Sequence, residues 1–126
     1  MDELRQGDWF SLKGQVAVVT GAGAGIGEAS ARALARAGAA VVVSDRTLET
    51  AQAVAEGLVL EGCCATAVEC DVFKDEHLVN LVDTAVNQFG GLNILVNNVG
   101  GGGGGKENVL DETLDDIQWA YTLNLF

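Results

Sequence analysis

Apolar residues recur along the chain in two rhythms. Four short runs are nearly continuous in Val, Ala, Ile and Leu: residues 16–20 (VAVVT), 39–45 (AAVVVSD), 65–70 (ATAVEC) and 92–98 (LNILVNN). Runs of that length and β-branched content predict strands, the first two of them buried in the sheet. Between them the spacing changes to three and four. In EASARALARAG, Ala29, Ala33, Leu34 and Ala37 keep helical spacing, and Gly38 supplies the stop. Residues 47–62 (TLETAQAVAEGLVLEG) predict a second helix, with Thr47 as N-cap and Glu49 in its first turn. Residues 74–90 carry Leu78, Leu81, Val82, Ala85 and Phe89 on one face, ended by Gly90. Val79 and Val86 add a second apolar stripe there, wider than a sheet contact needs, which predicts contact with another subunit. After the run Gly100–Gly105, residues 113–126 predict a fourth helix, with Thr113 and Asp116 as a capping box.

Strand and helix therefore alternate four times. That order predicts right-handed crossovers and a Rossmann-type parallel sheet, strand order 3-2-1-4, with helices on both faces. The 126 residues make one domain, 1–126. The last helix, however, breaks off without a cap or polar tail, so the domain is expected to be incomplete at its C-terminus.

Composition adds exclusions. The formal net charge is −11, from 18 acidic and 7 basic residues, with no basic stripe. Such a chain repels nucleic acid and anionic lipid. The longest apolar runs are too short to cross a membrane, and the opening MDELRQGDWF has no apolar signal core. Cys63, Cys64 and Cys70 are odd in number and lack metal-ligand spacing, so they read as reduced, half-buried residues in a cytoplasmic protein, and no metal is expected. His77, at a helix start, reads as a surface residue.

The candidate chemistry lies in TGAGAGIGE. Thr20, Gly21, Gly25 and Gly27 give the spacing T-G-x-x-x-G-x-G between a strand and a helix, where G-x-G-x-x-G fits in no register. Glycines let a ligand approach the backbone, and the free N–H groups of a helix start suit a pyrophosphate. Asp45 ends the second strand. In this architecture a carboxylate there accepts hydrogen bonds from the adenosine ribose and repels a 2′-phosphate, which predicts NAD rather than NADP. Arg46, beside it, partly offsets that repulsion.

TGAGAGIG, VVVSD, CDV and ILVNNVG, in that order and spacing, resemble the short-chain dehydrogenase/reductase family from about Leu12 to the last residue. The glycine run after the Asn-Asn strand looks most like its 7-alpha-hydroxysteroid dehydrogenase branch. The resemblance implies an NAD-dependent oxidoreductase acting on a secondary alcohol or ketone. It implies that Gly21, Gly25, Ile26 and Gly27 form the phosphate turn and that Asp45 holds the ribose. Asp71 and Val72 would flank the adenine, and Asn98, Val99 and Gly100 would line the nicotinamide-side ribose. Asn124 matches the asparagine of the family's catalytic tetrad. Val99 replaces the family's usual Ala, and Phe73 stands where Ser or Thr normally caps the next helix.

The tetrad's Ser and Tyr-x-x-x-Lys find no match. Tyr121 is followed four positions on by Leu125, and Ser11, Ser30 and Ser44 come too early. The chain thus resembles the cofactor half of such an enzyme, cut after Asn124. By itself it is expected to be inactive and marginally stable, whereas the full-length protein is expected to be a homo-oligomer, dimer or tetramer. Two other readings are a non-catalytic dinucleotide-binding module and a 3-oxoacyl-carrier-protein reductase. The latter usually prefers NADP, and Asp45 argues against it.

Overall fold

The computed structural model describes residues 9–100 and 109–125. Strand β1 is Val16–Val19, β2 Ala40–Asp45, β3 Ala65–Glu69 and β4 Ile94–Val96. Helix α1 is Gly25–Arg36, α2 Leu48–Leu60, α3 Asp75–Phe89 and α4 Leu114–Asn124, with a 3₁₀ turn at Val109–Asp111. All pairings are parallel and the order is β3-β2-β1-β4, as the alternating pattern predicts. Val18 sits between Val42 and Leu95 in register.

Two apolar layers flank the sheet. On one face Ala17, Val19, Val41 and Val43 meet Ala31 and Ala35 of α1 and Ala51, Val54 and Leu58 of α2. Small alanines let both helices approach the sheet closely. On the other face Val16, Val18, Val42 and Val68 meet Leu81 and Ala85 of α3. No helix of the described residues is long and apolar enough to cross a membrane.

Several boundaries and faces differ from the sequence reading. Thr20 leaves the strand, although its N–H still reaches the Val96 carbonyl. Ala39 turns its N–H back to Leu34 and is not yet in β2. β4 keeps only three residues, Ile94–Val96, in register with Ala17–Val19 of β1. In α1 the buried positions are Gly27, Ala31 and Ala35, whereas Ala29 and Ala33 are exposed. A helix with alanine on every side gives periodicity nothing to select. The core strip of α3 is likewise narrower than predicted: Leu81 and Ala85 are buried, but Leu78 and Val82 are exposed, and Val79 and Val86 of the second stripe are exposed in this single chain. Helix α4 buries no residue.

Caps also depart from expectation. Thr47 occupies the N-cap of α2 without a side-chain cap bond; its N–H instead donates to Asp45 Oδ1 at 3.0 Å. The N-cap of α3 is Lys74 rather than Phe73, again without a side-chain bond. Gly90 does end α3, in the left-handed conformation at φ 88°. The box at α4 is present: Asp116 N–H donates to Thr113 Oγ1 at 3.2 Å, and Thr113 N–H to Asp116 Oδ2 at 2.8 Å. Of the glycine run only Gly100 lies within the described residues.

Candidate functional site

The glycine turn is built by closing the ends of three strands over one another. Gly21, at φ 62°, turns the chain out of β1. Ala22 N–H then donates to the Ser44 carbonyl at 2.8 Å, and Gly23 N–H to Asp45 Oδ2 at 2.9 Å. Gly25, at φ 60°, opens α1, whose N-cap Ala24 makes no side-chain cap bond. The first N–H groups of such a helix have no intrahelical acceptor. Those of Gly25, Ile26 and Gly27 find no protein partner among the described residues, and Ile26 is 80% exposed. A Cβ on Gly25 would meet nothing within 4 Å, so open space faces this helix start. Uncapped N–H groups, a partial positive charge and that space fit the diphosphate of a dinucleotide.

Asp45 spans the bend. One carboxylate oxygen holds Gly23 and the other holds Thr47, so β2 delivers the carboxylate to the mouth of the glycine turn. Thr50 crowds the same point: a Cβ on Gly23 would collide with its hydroxyl and with Asp45 Oδ2.

Behind the bend, Thr20 joins β1 to the segment after β4. Its buried hydroxyl accepts from Asn98 N–H at 3.1 Å and Val99 N–H at 3.4 Å, and donates to the Val96 carbonyl at 3.4 Å. The Asn98 amide donates to the Gly21 carbonyl at 3.2 Å. Val99 lies against the bend, its Cγ2 3.2 Å from where a Gly21 Cβ would stand.

These elements enclose a cleft of about 280 Å³. Gly21, Asp45, Asn98, Val99 and Gly100 form one part of its lining, and Arg46, Asp71 and Val72 another. Eight sequence-predicted residues thus share one cavity. The volume is just below the roughly 300–1,000 Å³ of small-molecule sites and suits an adenosine half better than a whole dinucleotide. Gly25, Ile26 and Gly27 lie outside the lining, in the first turn of α1. Asn124 lines an adjoining depression with Thr20, Asn97 and Val99. Its Nδ2 donates to the Ala120 carbonyl, and its Oδ1 would stand 2.8 Å from a Cβ on Gly100. Arg46 makes no ion pair among the described residues.

Sequence reading missed several lining residues. Cys70, Phe73, Trp119 and Leu123 complete the cleft. His77 is half-buried rather than free on the surface, and its Nδ1 accepts from Asp71 N–H at 3.0 Å. A lone histidine in a helix's first turn gives no signal of that contact. The cysteines are free but not uniformly half-buried: Cys63 is intermediate, Cys64 exposed and Cys70 buried. Burial raises the Cys70 thiol above its ordinary pKa, and the nearby Asp71 charge adds to the effect. Since the thiolate is the nucleophile, iodoacetamide is expected to alkylate Cys64 first and Cys70 last, read by peptide mass over time. Cys70 reacting as fast as Cys64 would contradict its burial. Among the described residues no group of three His, Cys, Asp or Glu side chains could hold a metal ion.

Comparison with known proteins gives a consistent result. The 7alpha-hydroxysteroid dehydrogenase of Escherichia coli (strain K12) is 42% identical over 119 residues, 94% of this chain and 46% of that protein. Tropinone reductase-like 2 of Erythroxylum coca is 36% identical over 116 residues, 90% of this chain and 41% of that protein. A solved 7 alpha-hydroxysteroid dehydrogenase complexed with NADH and 7-oxo glycochenodeoxycholic acid aligns with TM-score 0.88 at 41% identity. That alignment covers 98% of this chain and 47% of the other. The chain therefore spans about half the length of the relatives it matches. The family model described as short chain dehydrogenase matches residues 15–126, and with the glycine bend and parallel sheet in place, this chain belongs to the short chain dehydrogenase family of oxidoreductases.

Proposed function

We propose that this chain forms the NAD(H)-binding half of an enzyme that passes a hydride between the nicotinamide and a secondary alcohol or ketone, with hydroxysteroids as the substrate class. One observation carries the reading: Asp45 and the uncapped start of α1 meet at the same glycine bend. The bound nicotinamide supplies the hydride chemistry. The chain's own residues bind and orient. The N–H groups of Gly25, Ile26 and Gly27 take the diphosphate, with Gly21 giving access. Asp45 accepts from the adenosine ribose, and its charge selects against a 2′-phosphate. Asp71 and Val72 hold the base. Asn98, Val99 and Gly100 line the path to the second ribose, and Asn124 stands beyond them toward the substrate side.

General acid–base work needs a positioned group of tuned pKa. The family's Ser and Tyr-x-x-x-Lys are not among these 126 residues, so the chain alone binds cofactor without turnover. The relative complexed with NADH supports the cofactor class. Free thiols suit a cytoplasmic setting, and the apolar flank of α3 at Val79 and Val86 suits a homo-oligomer.

NADH titrated into the full chain is expected to give saturable enhancement of its fluorescence. NAD⁺ mixed with a 7α-hydroxy bile acid is expected to give no NADH. Absence of binding at millimolar NADH would remove the reading, and steady NADH production would remove its claim that the acid–base half is missing.

A further inference from the structure

The β3–α3 turn is tied by hydrogen bonds, one of which depends on a charge state. Cys70 N–H closes the sheet ladder on the Asp45 carbonyl at 2.9 Å. Past it, Phe73 N–H donates to Asp71 Oδ1 at 3.0 Å and Lys74 N–H to the Asp71 carbonyl at 3.0 Å, a turn supported by its own aspartate. The Asp71 N–H remains, and its one partner among the described residues is His77 Nδ1, at 3.0 Å. His77 is half-buried in the first turn of α3, where its own N–H donates to the Lys74 carbonyl at 3.0 Å. The ring thus folds back across the helix start to the residue where the chain leaves β3.

An imidazole nitrogen accepts only while it carries no proton. In the neutral ring one nitrogen donates and the other accepts, whereas in the cation both donate. The bond from Asp71 N–H therefore requires a neutral ring with its proton on Nε2. Protonation sets two N–H groups against each other and leaves the Asp71 N–H without its acceptor. Histidine is the side chain whose charge ordinarily changes between about pH 5 and pH 8, and the chain has a single histidine. Charged neighbours decide where in that range the change falls, not its direction. On the same turn these are Lys74, Asp75 and Glu76, all exposed, with Asp71 and the buried Cys70 thiol before them. Of the strands that α3 packs against, β1 has no titratable side chain, β2 ends in Asp45, held at the glycine bend, and β3 ends in Glu69, which is exposed.

We propose that His77 is a positioning residue that makes nucleotide affinity depend on pH: neutral, it holds the β3–α3 turn in its binding form, and protonated, it releases that turn. The proposal rests on the nucleotide reading of the cleft, which the turn lines through Asp71, Val72 and Phe73. It adds a control from behind the wall, because His77 itself is not part of the lining. Binding and protonation oppose each other, so by linkage affinity falls as pH falls through the titration of the ring.

The probe is NAD⁺, whose diphosphate keeps its charge over this range, titrated calorimetrically into the full chain from about pH 8 to about pH 5.5. The parent is expected to bind it about 3- to 10-fold more weakly at the acid end, the effect of one lost hydrogen bond. His77→Asn puts an amide oxygen where Nδ1 stands and cannot titrate, so it should keep the parent's alkaline affinity throughout. It also retains every carboxylate, which separates their protonation from that of the ring. His77→Ala should bind weakly at both ends. Nitrogen NMR of the single imidazole should show the Nε2–H tautomer at the alkaline end. Circular dichroism at each pH checks the fold, and if His77→Ala unfolds, His77→Asn against the parent carries the test. A parent affinity that is constant with pH, or a His77→Asn affinity that falls as steeply as the parent's, overturns the role of His77 alone. A parent chain that binds no NAD⁺ at the alkaline end overturns the nucleotide reading and this proposal with it.

Discussion

Gly27→Ala is expected to abolish measurable NADH binding and to lower the urea midpoint of unfolding, although alanine is the better helix former. Gly27 is buried in the first turn of α1. A Cβ there would collide with the Gly21 carbonyl and crowd the Asn98 amide. One obstacle is backbone, and the other is the side chain that holds that backbone. Overpacking of this kind costs about 1–3 kcal/mol, against a helix-propensity gain of at most about 1 kcal/mol. The clash therefore wins, and relief requires the bend to move, which displaces the N–H groups that meet the diphosphate. Gly57→Ala in α2 is the control. Its Cβ would touch only the Arg32 guanidinium, at 3.5 Å, so the same change there should stabilise by about 0.5–1 kcal/mol. Equal midpoints and equal NADH affinity for Gly27→Ala and the parent would show that the close approach at residue 27 constrains nothing.

That contrast marks what the sequence could convey. Strands β1 and β2 were legible because residues buried on both faces leave nearly unbroken apolar runs, whereas β3, with only Val68 buried, showed as a shorter β-type run. The end of α3 was legible because Gly90 can adopt positive φ without strain. The strand–glycine–helix order and a carboxylate closing β2 were legible because both are local spacings. Long-range contacts were not. The Thr20 hydroxyl joins residues 76 to 79 positions away, and nothing near Thr20 announces them. Phe73 and Trp119 lie on separate elements and meet only once β3 and α4 are placed. His77 looked like surface because an imidazole accepting from a turn N–H has no pattern of its own. The core face predicted on α3 failed differently. Periodicity reports which side chains are apolar, and only packing decides which of them the sheet covers.

Asp45→Asn is expected to change the preference between NADH and NADPH by tenfold or more. The parent carboxylate is half-exposed at the bend and donates nothing; it accepts from Gly23 and Thr47. A 2′-phosphate placed about 4 Å away would meet a repulsion of roughly 1 kcal/mol in water and roughly 4 kcal/mol at an effective dielectric of 20. Arg46 lines the same cleft and offsets part of it, so the lower half of that range is the sounder expectation, which still amounts to about tenfold. Asparagine keeps one acceptor for the two backbone N–H groups and turns its amide toward the other. NADH affinity should therefore fall while NADPH affinity rises. Ionic strength separates charge from shape. Exposed charges are screened within about 10 Å at 0.1 M salt, so added salt should narrow the NADH–NADPH gap in the parent and leave it nearly unchanged in Asp45→Asn. Calorimetric titration of both cofactors at two salt concentrations reads all four affinities. A ratio that stays within twofold of the parent's would show that the carboxylate at 45 braces the glycine bend without selecting the cofactor.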